Sequence, residues 1–287
     1  MTATMRLACF LSATVILFAA TNGTAANAPP WDNFNLTEWL IALPINAVGQ
    51  KGGHDAVDVY PITDATMGRI PNSSTYFFTS ADGGMTFYAP VDGARLPGHS
   101  TYPRCELAEM RYYKTHGRKF WPLSYGGELD ATLAVNQVPM VEPAKVGCCQ
   151  NVVIGQMHFI PSTEGTMKIF YAPAGITLEG SKYNVFVQIS LIRKRLFKNF
   201  GLVPTSAGLS LGRKFSYRIR VANNILTISA TANSQTFTVN PDRSWYDDPA
   251  YTYLFQAGVY NAANNTGEGT QGSGAGKVTF YNLAIHH

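Results

Sequence analysis

Three short segments gather the residue types that proton transfer on an anionic substrate requires. In Arg104-Cys105-Glu106-Leu107-Ala108, the strand period of two puts Arg104 and Glu106 on one face and turns Cys105 and Leu107 to the other. In Ile154-Gly155-Gln156-Met157-His158-Phe159, Gln156 and His158 share a face while Met157 packs inward. In Phe255-Gln256-Ala257-Gly258-Val259-Tyr260-Asn261, Gln256, Gly258 and Tyr260 share a face, and Gly258 leaves room for a ligand near the backbone. Taken singly, each has a plain structural explanation: an Arg–Glu pair two apart is usually a solvated strand face, and a Tyr near a strand end usually packs. If the three strands are neighbours, they form one polar face. An Arg and an amide can then neutralise a carboxylate. A His and a Tyr can move a proton beside it.

The elements that must position these residues read as short strands. Thr75 to Phe78 and Gly84 to Tyr88 flank the turn Ala81-Asp82-Gly83. Leu129 to Val135, Asn151 to Phe159, Met167 to Tyr171 and Tyr183 to Leu191 have strand length and pattern. Lys214 to Val221 and Ile225 to Ala230 flank Ala222-Asn223-Asn224, and Gln235 to Val239 continues the meander. Tyr253 to Tyr260 and Lys277 to Ile285 follow. Helical periodicity is scarce, and Leu191 to Phe200 is the best candidate for a short helix or basic loop. Strands without alternating helices predict an all-β sandwich of two antiparallel sheets. No repeat or linker divides it, so residues 27–287 are expected to form one domain.

Residues 1–26 read as a secretory signal peptide: a positive start, the apolar run Leu7 to Ala20, then small residues at Gly23 to Ala26. No later stretch has the length and apolarity of a membrane span. A net charge of +4 suits an anionic partner, and no basic run interleaved with aromatics suggests nucleic acid. Of four cysteines, Cys9 lies in the leader, leaving Cys105, Cys148 and Cys149, so at most one intrachain bridge forms and one thiol stays free. Their spacing fits neither a zinc site nor a catalytic cysteine. Asn35, Asn72 and Asn264 each begin an Asn-x-Ser/Thr triplet, the acceptor pattern for N-glycosylation.

The chain resembles the alginate lyases of polysaccharide lyase family 7. Their hallmark segments run Arg-(Ser/Thr)-Glu-(Leu/Val)-Arg, Gln-(Ile/Val)-His and Tyr-Phe-Lys-Ala-Gly-(Val/Ile)-Tyr-Asn-Gln, and here stand as Arg104 to Ala108, Gln156 to His158 and Leu254 to Ala262. Phe34 to Trp39, Leu43-Pro44 and Val278 to Tyr281 also look like the ends of that family. The resemblance implies a β-jelly roll with a concave substrate groove and cleavage of a polyuronate by β-elimination. It implies Arg104, Gln156, His158 and Tyr260 as catalytic positions. Glu106, Gln256 and Asn261 are the candidate substrate-binding residues, with Glu106 either orienting Arg104 or meeting a sugar hydroxyl. Ala108 and Gln256 depart from the pattern where the family carries Arg and Lys, which bears on which polyuronate is cleaved.

The C5 proton of a 4-linked uronate is removable only if the adjacent carboxylate is neutralised, the role expected of Arg104 and Gln156. His158 or Tyr260 then takes the proton, and Tyr260 protonates the leaving oxygen. On mannuronate, where both lie on one side, Tyr260 alone could serve; on guluronate, His158 as base and Tyr260 as acid divide the work. Neither a metal nor an organic cofactor is expected, and a secreted monomer acting on an anionic polysaccharide is. Mannuronate-rich alginate is the favoured substrate and glucuronan the alternative. A glycoside hydrolase built on Glu128-Leu129-Asp130 lacks the second acid that should follow, and a carbohydrate-binding lectin would not need the Arg, Gln, His and Tyr set.

Overall fold

Alternating burial is what folds this chain into two sheets. Along Lys214 to Ala222, Phe215, Tyr217, Ile219 and Val221 are buried while Lys214, Arg218 and Arg220 are exposed, the pattern of a strand with one wet face. The structure is a computed structural model describing residues 28–98, 101–117, 120–161, 165–191 and 194–287, with the side chains of residues 147–148 excepted. The expected signal peptide lies outside the described residues. Among them, no helix is long and apolar enough to cross a membrane.

One sheet has eight antiparallel strands in the order β11 (Leu196–Pro204), β10 (Ser181–Leu191), β9 (Gly165–Leu178), β8 (Val152–Ile160), β15 (Thr252–Asn261), β5 (Arg104–Glu109), β1 (Trp39–Ala42) and β2 (Asp58–Val59). The other has seven, in the order β14 (Gln235–Val239), β13 (Ile225–Ala232), β12 (Lys214–Ala222), β6 (Gly127–Gln137), β17 (Ala275–His286), β4 (Met85–Pro90) and β3 (Phe77–Thr79). A small ribbon joins β7 (Met140–Val141) to β16 (Gly272–Ser273). This is the jelly-roll sandwich expected, with short helical turns confined to the connections.

The two sheets close on one apolar core. Phe87 and Phe280 pack edge to face at 5.3 Å, and Trp121, Phe159, Tyr253 and Phe255 fill the interior beneath the eight-stranded sheet. Polar contacts between the sheets include Tyr217 Oη, which donates to Ile154 O at 2.9 Å, and Asn261 Nδ2, which donates to Ala89 O at 2.8 Å. Cys105 is free and buried, and Cys149 is disulfide-bonded, consistent with one bridge and one free thiol.

The strand segments read from the sequence lie within strands, with local differences. Ser73–Tyr76 is a helical turn and the strand begins only at Phe77, because Asn72 turns left-handed at φ 63° and starts the turn. Of the stretch Leu191 to Phe200, the described residues are not helical: Leu191 ends β10, Arg195 turns at φ 51°, and β11 starts at Leu196, with Gln188 and Asn199 paired across the two strands. The β12–β13 hairpin turns through Asn223 and Asn224 at φ 53° and 60°, the conformation such residues tolerate. Asn264 is fully buried and hydrogen-bonded to Thr101 O, so the folded chain presents no acceptor there for a glycan.

Candidate active site

The three segments come together. Strands β8, β15 and β5 are consecutive neighbours, and their register decides which side chains meet. Tyr260 stands opposite Arg104, Gly258 opposite Glu106, and Gln256 opposite both Ala108 and Gln156. His158 lies one alternate position further along β8, opposite Leu254. Along the strands, Tyr260 and His158 therefore flank the row that contains Gln156 from opposite sides.

Two local irregularities set this register. A bulge falls between Ala257 and Tyr260, at Gly258 with φ 151°. A Cβ at Gly258 would come 2.5 Å from Cys105 O and 2.7 Å from Glu106 Cα. The glycine thus lets β5 close on β15, rather than opening space for a ligand as the sequence suggested. A second bulge lies between Val153 and Gly155, where a Cβ on Gly155 would come 2.5 Å from Tyr217 Oη. Both bulges aim side chains at the outer face of the eight-stranded sheet.

Glu106 is the hub. It is 1% exposed, accepts from Arg104 Nη1 at 3.2 Å through one oxygen, and accepts from Gln156 Nε2 at 2.5 Å through the other. Burial pushes its carboxyl pKa up, opposed by Arg104, Gln156 and Lys168. With both oxygens engaged and almost no exposed surface, Glu106 orients Arg104 and Gln156, the first of the two roles its place in the sequence allowed. The Arg104 guanidinium carbon sits 3.8 Å from the centroid of the Tyr260 ring, so the cation lies over the face of that phenol. Tyr102 places its ring 6.4 Å from the same tyrosine.

Gln256 is on the site face. Its Oε1 and that of Gln156 are buried acceptors with no hydrogen-bond partner among the described residues. Asn261 is not on this face. Alternation turns it between the sheets, where it holds Ala89 O, so it serves the sandwich and does not reach a substrate.

One residue of the site escaped the sequence reading. Lys168 on β9 pairs with Gln156, is half-buried, and carries its ammonium 5.1 Å from the centroid of the Tyr260 ring. Its signal lay in alternation, since Met167, Ile169 and Tyr171 face the core and leave Lys168 outward. Beyond it, on the same sheet, a cavity of about 390 Å³ is lined by Tyr102, Phe170, Phe186, Gln188 and Asn199 among others. The carboxylates Glu128 and Asp130 lie far from this face. They sit on β6 of the other sheet, with Asp130 2.6 Å from Arg218 Nε and Glu128 3.4 Å from Arg220 Nε. That pairing leaves the glycoside-hydrolase reading without a catalytic pair.

Comparison with known proteins decides the family. A family model described as alginate lyase matches residues 34–287. The chain belongs to the alginate lyase family. It is 30% identical to an alginate lyase of Klebsiella pneumoniae over 96% of each chain. Among solved structures, it is similar to the alginate lyase of Klebsiella pneumoniae, with 24% identity, a TM-score of 0.65, and 91% and 99% of the two chains covered. The exolytic family 7 alginate lyase of Zobellia galactanivorans aligns at 19% identity with a TM-score of 0.63, covering 88% of this chain and 95% of that one. A family 7 alginate lyase in complex with a substrate (GGMG) aligns at 23% identity with a TM-score of 0.60, covering 92% and 97%. These structural likenesses show the shared jelly-roll fold. Family membership makes the protein a polysaccharide lyase.

Proposed function

We propose that the protein cleaves alginate by β-elimination, mannuronate-rich stretches first, on the outer face of β5, β15 and β8. The observation that carries this reading is the linked set Gln156–Glu106–Arg104–Tyr260, in which a buried carboxylate holds two carboxylate-neutralising groups beside a phenol. Arg104 and the free amide hydrogen of Gln156 bind the uronate carboxylate and stabilise the negative charge that develops on it as C5 is deprotonated. The positive field of Arg104 favours the phenolate of Tyr260. That phenolate takes the C5 proton, the C4–C5 double bond forms as the C4–O4 bond breaks, and the same proton passes to O4. On mannuronate both positions lie on the side of Tyr260, so one group completes the cycle. On guluronate His158, from the opposite end of the row, takes the proton and Tyr260 serves as acid.

The residues at Gln256 and Ala108 leave the central strands with fewer cations than the family pattern, and this is what keeps glucuronan as the competing substrate. The protein is proposed to act outside the cell as a monomer, its residues 1–26 serving as the export signal. The test is incubation with poly-mannuronate, poly-guluronate and glucuronan, following the ultraviolet absorbance of the unsaturated product. Fastest release from poly-mannuronate is expected. Products with no conjugated double bond would refute the elimination, and faster cleavage of glucuronan would refute the assignment to alginate.

A further inference from the structure

We propose that Lys168 is a substrate-binding residue whose ammonium takes a uronate carboxylate on the β9 side of Gln156, standing in for the cations that positions 256 and 108 lack. This rests on the polyuronate reading of the site and names a ligand for it beyond the motif residues.

The charge balance of the face leads to this conclusion. Arg104 is paired with Glu106 at 3.2 Å in a buried contact, so its charge is partly offset, and what remains is directed at Tyr260 and the carboxylate of the reacting sugar rather than along the row. Gln256 and Ala108 are neutral. Among the described residues, the remaining positive charge in the row is Lys168. Among the described residues it makes no hydrogen bond or ion pair, and its interaction is with the face of Tyr260 at 5.1 Å. A half-buried ammonium held this way has lost part of its hydration while, among the described residues, no carboxylate touches it and Glu106 acts on it only from a distance. Burial accordingly lowers its pKa, in spite of Tyr260 and Glu106, which raise it. A carboxylate arriving from the groove supplies the missing partner.

The position suits a chain molecule. Gln256, Gln156, Lys168, Gln188 and Asn199 are successive cross-strand partners on β15, β8, β9, β10 and β11. They form one polar row, with neighbours spaced at about 4.8 Å. Gln188 and Asn199 are tied by a 3.0 Å hydrogen bond and line the adjoining cavity. Lys168 stands in that row between Gln156 and this neutral stretch. A polyuronate lying along the row therefore meets Lys168 as its one cation beyond Gln156 among the described members. An ammonium on a flexible stem suits a carboxylate whose angle changes between sugars.

The test uses the full chain carrying Tyr260→Phe, which keeps the ring beside Lys168 and slows turnover by about 10²–10⁴-fold or more, so that binding is read ahead of cleavage. Binding of a saturated mannuronate tetramer and of its carboxyl-reduced, neutral counterpart is measured by calorimetry, with and without Lys168→Met and Lys168→Arg. Lys168→Met is expected to weaken the anionic tetramer about tenfold and the neutral one under about twofold, with Lys168→Arg recovering most of the loss. Equal weakening of both ligands, or no weakening of either, would overturn the assignment. Whether the wild-type protein releases unsaturated product is read separately. If it releases none while the anion-selective loss is seen, the lyase reading falls and the carboxylate contact stands.

Discussion

Arg104 lies across the face of Tyr260, its guanidinium carbon 3.8 Å from the ring centroid, while the same group holds Glu106 at 3.2 Å. One cation thereby connects the group that moves protons to the carboxylate that fixes the site. Tyr260→Phe removes a hydroxyl and keeps the stacked ring, so the fold should survive and turnover should fall by about 10²–10⁴-fold or more. His158→Asn should be comparably damaging on poly-guluronate and milder on poly-mannuronate. Turnover of both variants on both homopolymers, with folding followed by circular dichroism, checks this. A folded Tyr260→Phe variant with near-normal turnover would sink the mechanism.

Glu106 accepts from Arg104 and Gln156 where water does not reach. Glu106→Ala leaves a buried guanidinium without its counter-ion, a change that typically costs about 3–5 kcal/mol. Urea denaturation should show a loss of that order, together with loss of activity in the folded fraction. Glu106→Gln keeps one acceptor for Arg104 and should lie between wild type and Glu106→Ala in both measurements. Full activity in Glu106→Ala would show that Arg104 and Gln156 hold their places unaided.

Proton linkage gives a second view of Lys168. Burial lowers its pKa in the free protein below the ordinary value of 10.5, and a bound carboxylate raises it again. The complex then holds more protons than the free protein, so affinity must fall as pH climbs through the free-state pKa, below 10.5. Calorimetry of Tyr260→Phe with the mannuronate tetramer, in buffers of different ionisation enthalpy, should record proton uptake on the alkaline side. Lys168→Met should abolish it, and uptake that persists would assign the titration to another group.

At the other end of β5, Glu109 faces the interior and accepts from Trp121 Nε1 at 2.9 Å and from the backbone N–H of Phe255 at 3.0 Å. The His287 ring lies 2.6 Å from its other oxygen, and both side chains are fully buried. Glu109→Ala strands three donors in the core and should lower unfolding stability by about 3 kcal/mol or more. A loss under about 1 kcal/mol in urea titration would mean that the interior relaxes around the gap.

Treatment with EDTA is expected to leave turnover unchanged. Arg104 and Gln156 already supply the charge neutralisation that a divalent ion would bring, and no three His, Cys, Asp or Glu side chains converge among the described residues. Loss of activity that one particular divalent ion restores would contradict this.

The alternation of Arg104-Cys105-Glu106 and Gln156-Met157-His158 was enough to read the site face, because a strand's side-chain period is fixed by its backbone. The same rule, applied one residue further, separates Tyr260 from Asn261, whose polar side chain suggested a sugar contact but whose parity turns it to Ala89. For Lys168, alternation showed the outward direction and nothing more. Its place beside Gln156 depends on the pairing of β8 with β9 across a loop and a bulge, and no local pattern encodes that register. The role of Gly258 was misread for a related reason: the approach of β5 is a property of two strands, whereas the sequence shows one.

Each of the central strands is written in two interleaved alphabets. Cys105, Leu107, Met157, Phe255, Ala257 and Val259 belong to the core, and the residues between them belong to the outer face. A substitution such as Gln at 256 or Ala at 108 can therefore alter which sugar is held while the interior packing stays as it was. The outer face can be rewritten for another sugar while the chain keeps the instructions by which it folds.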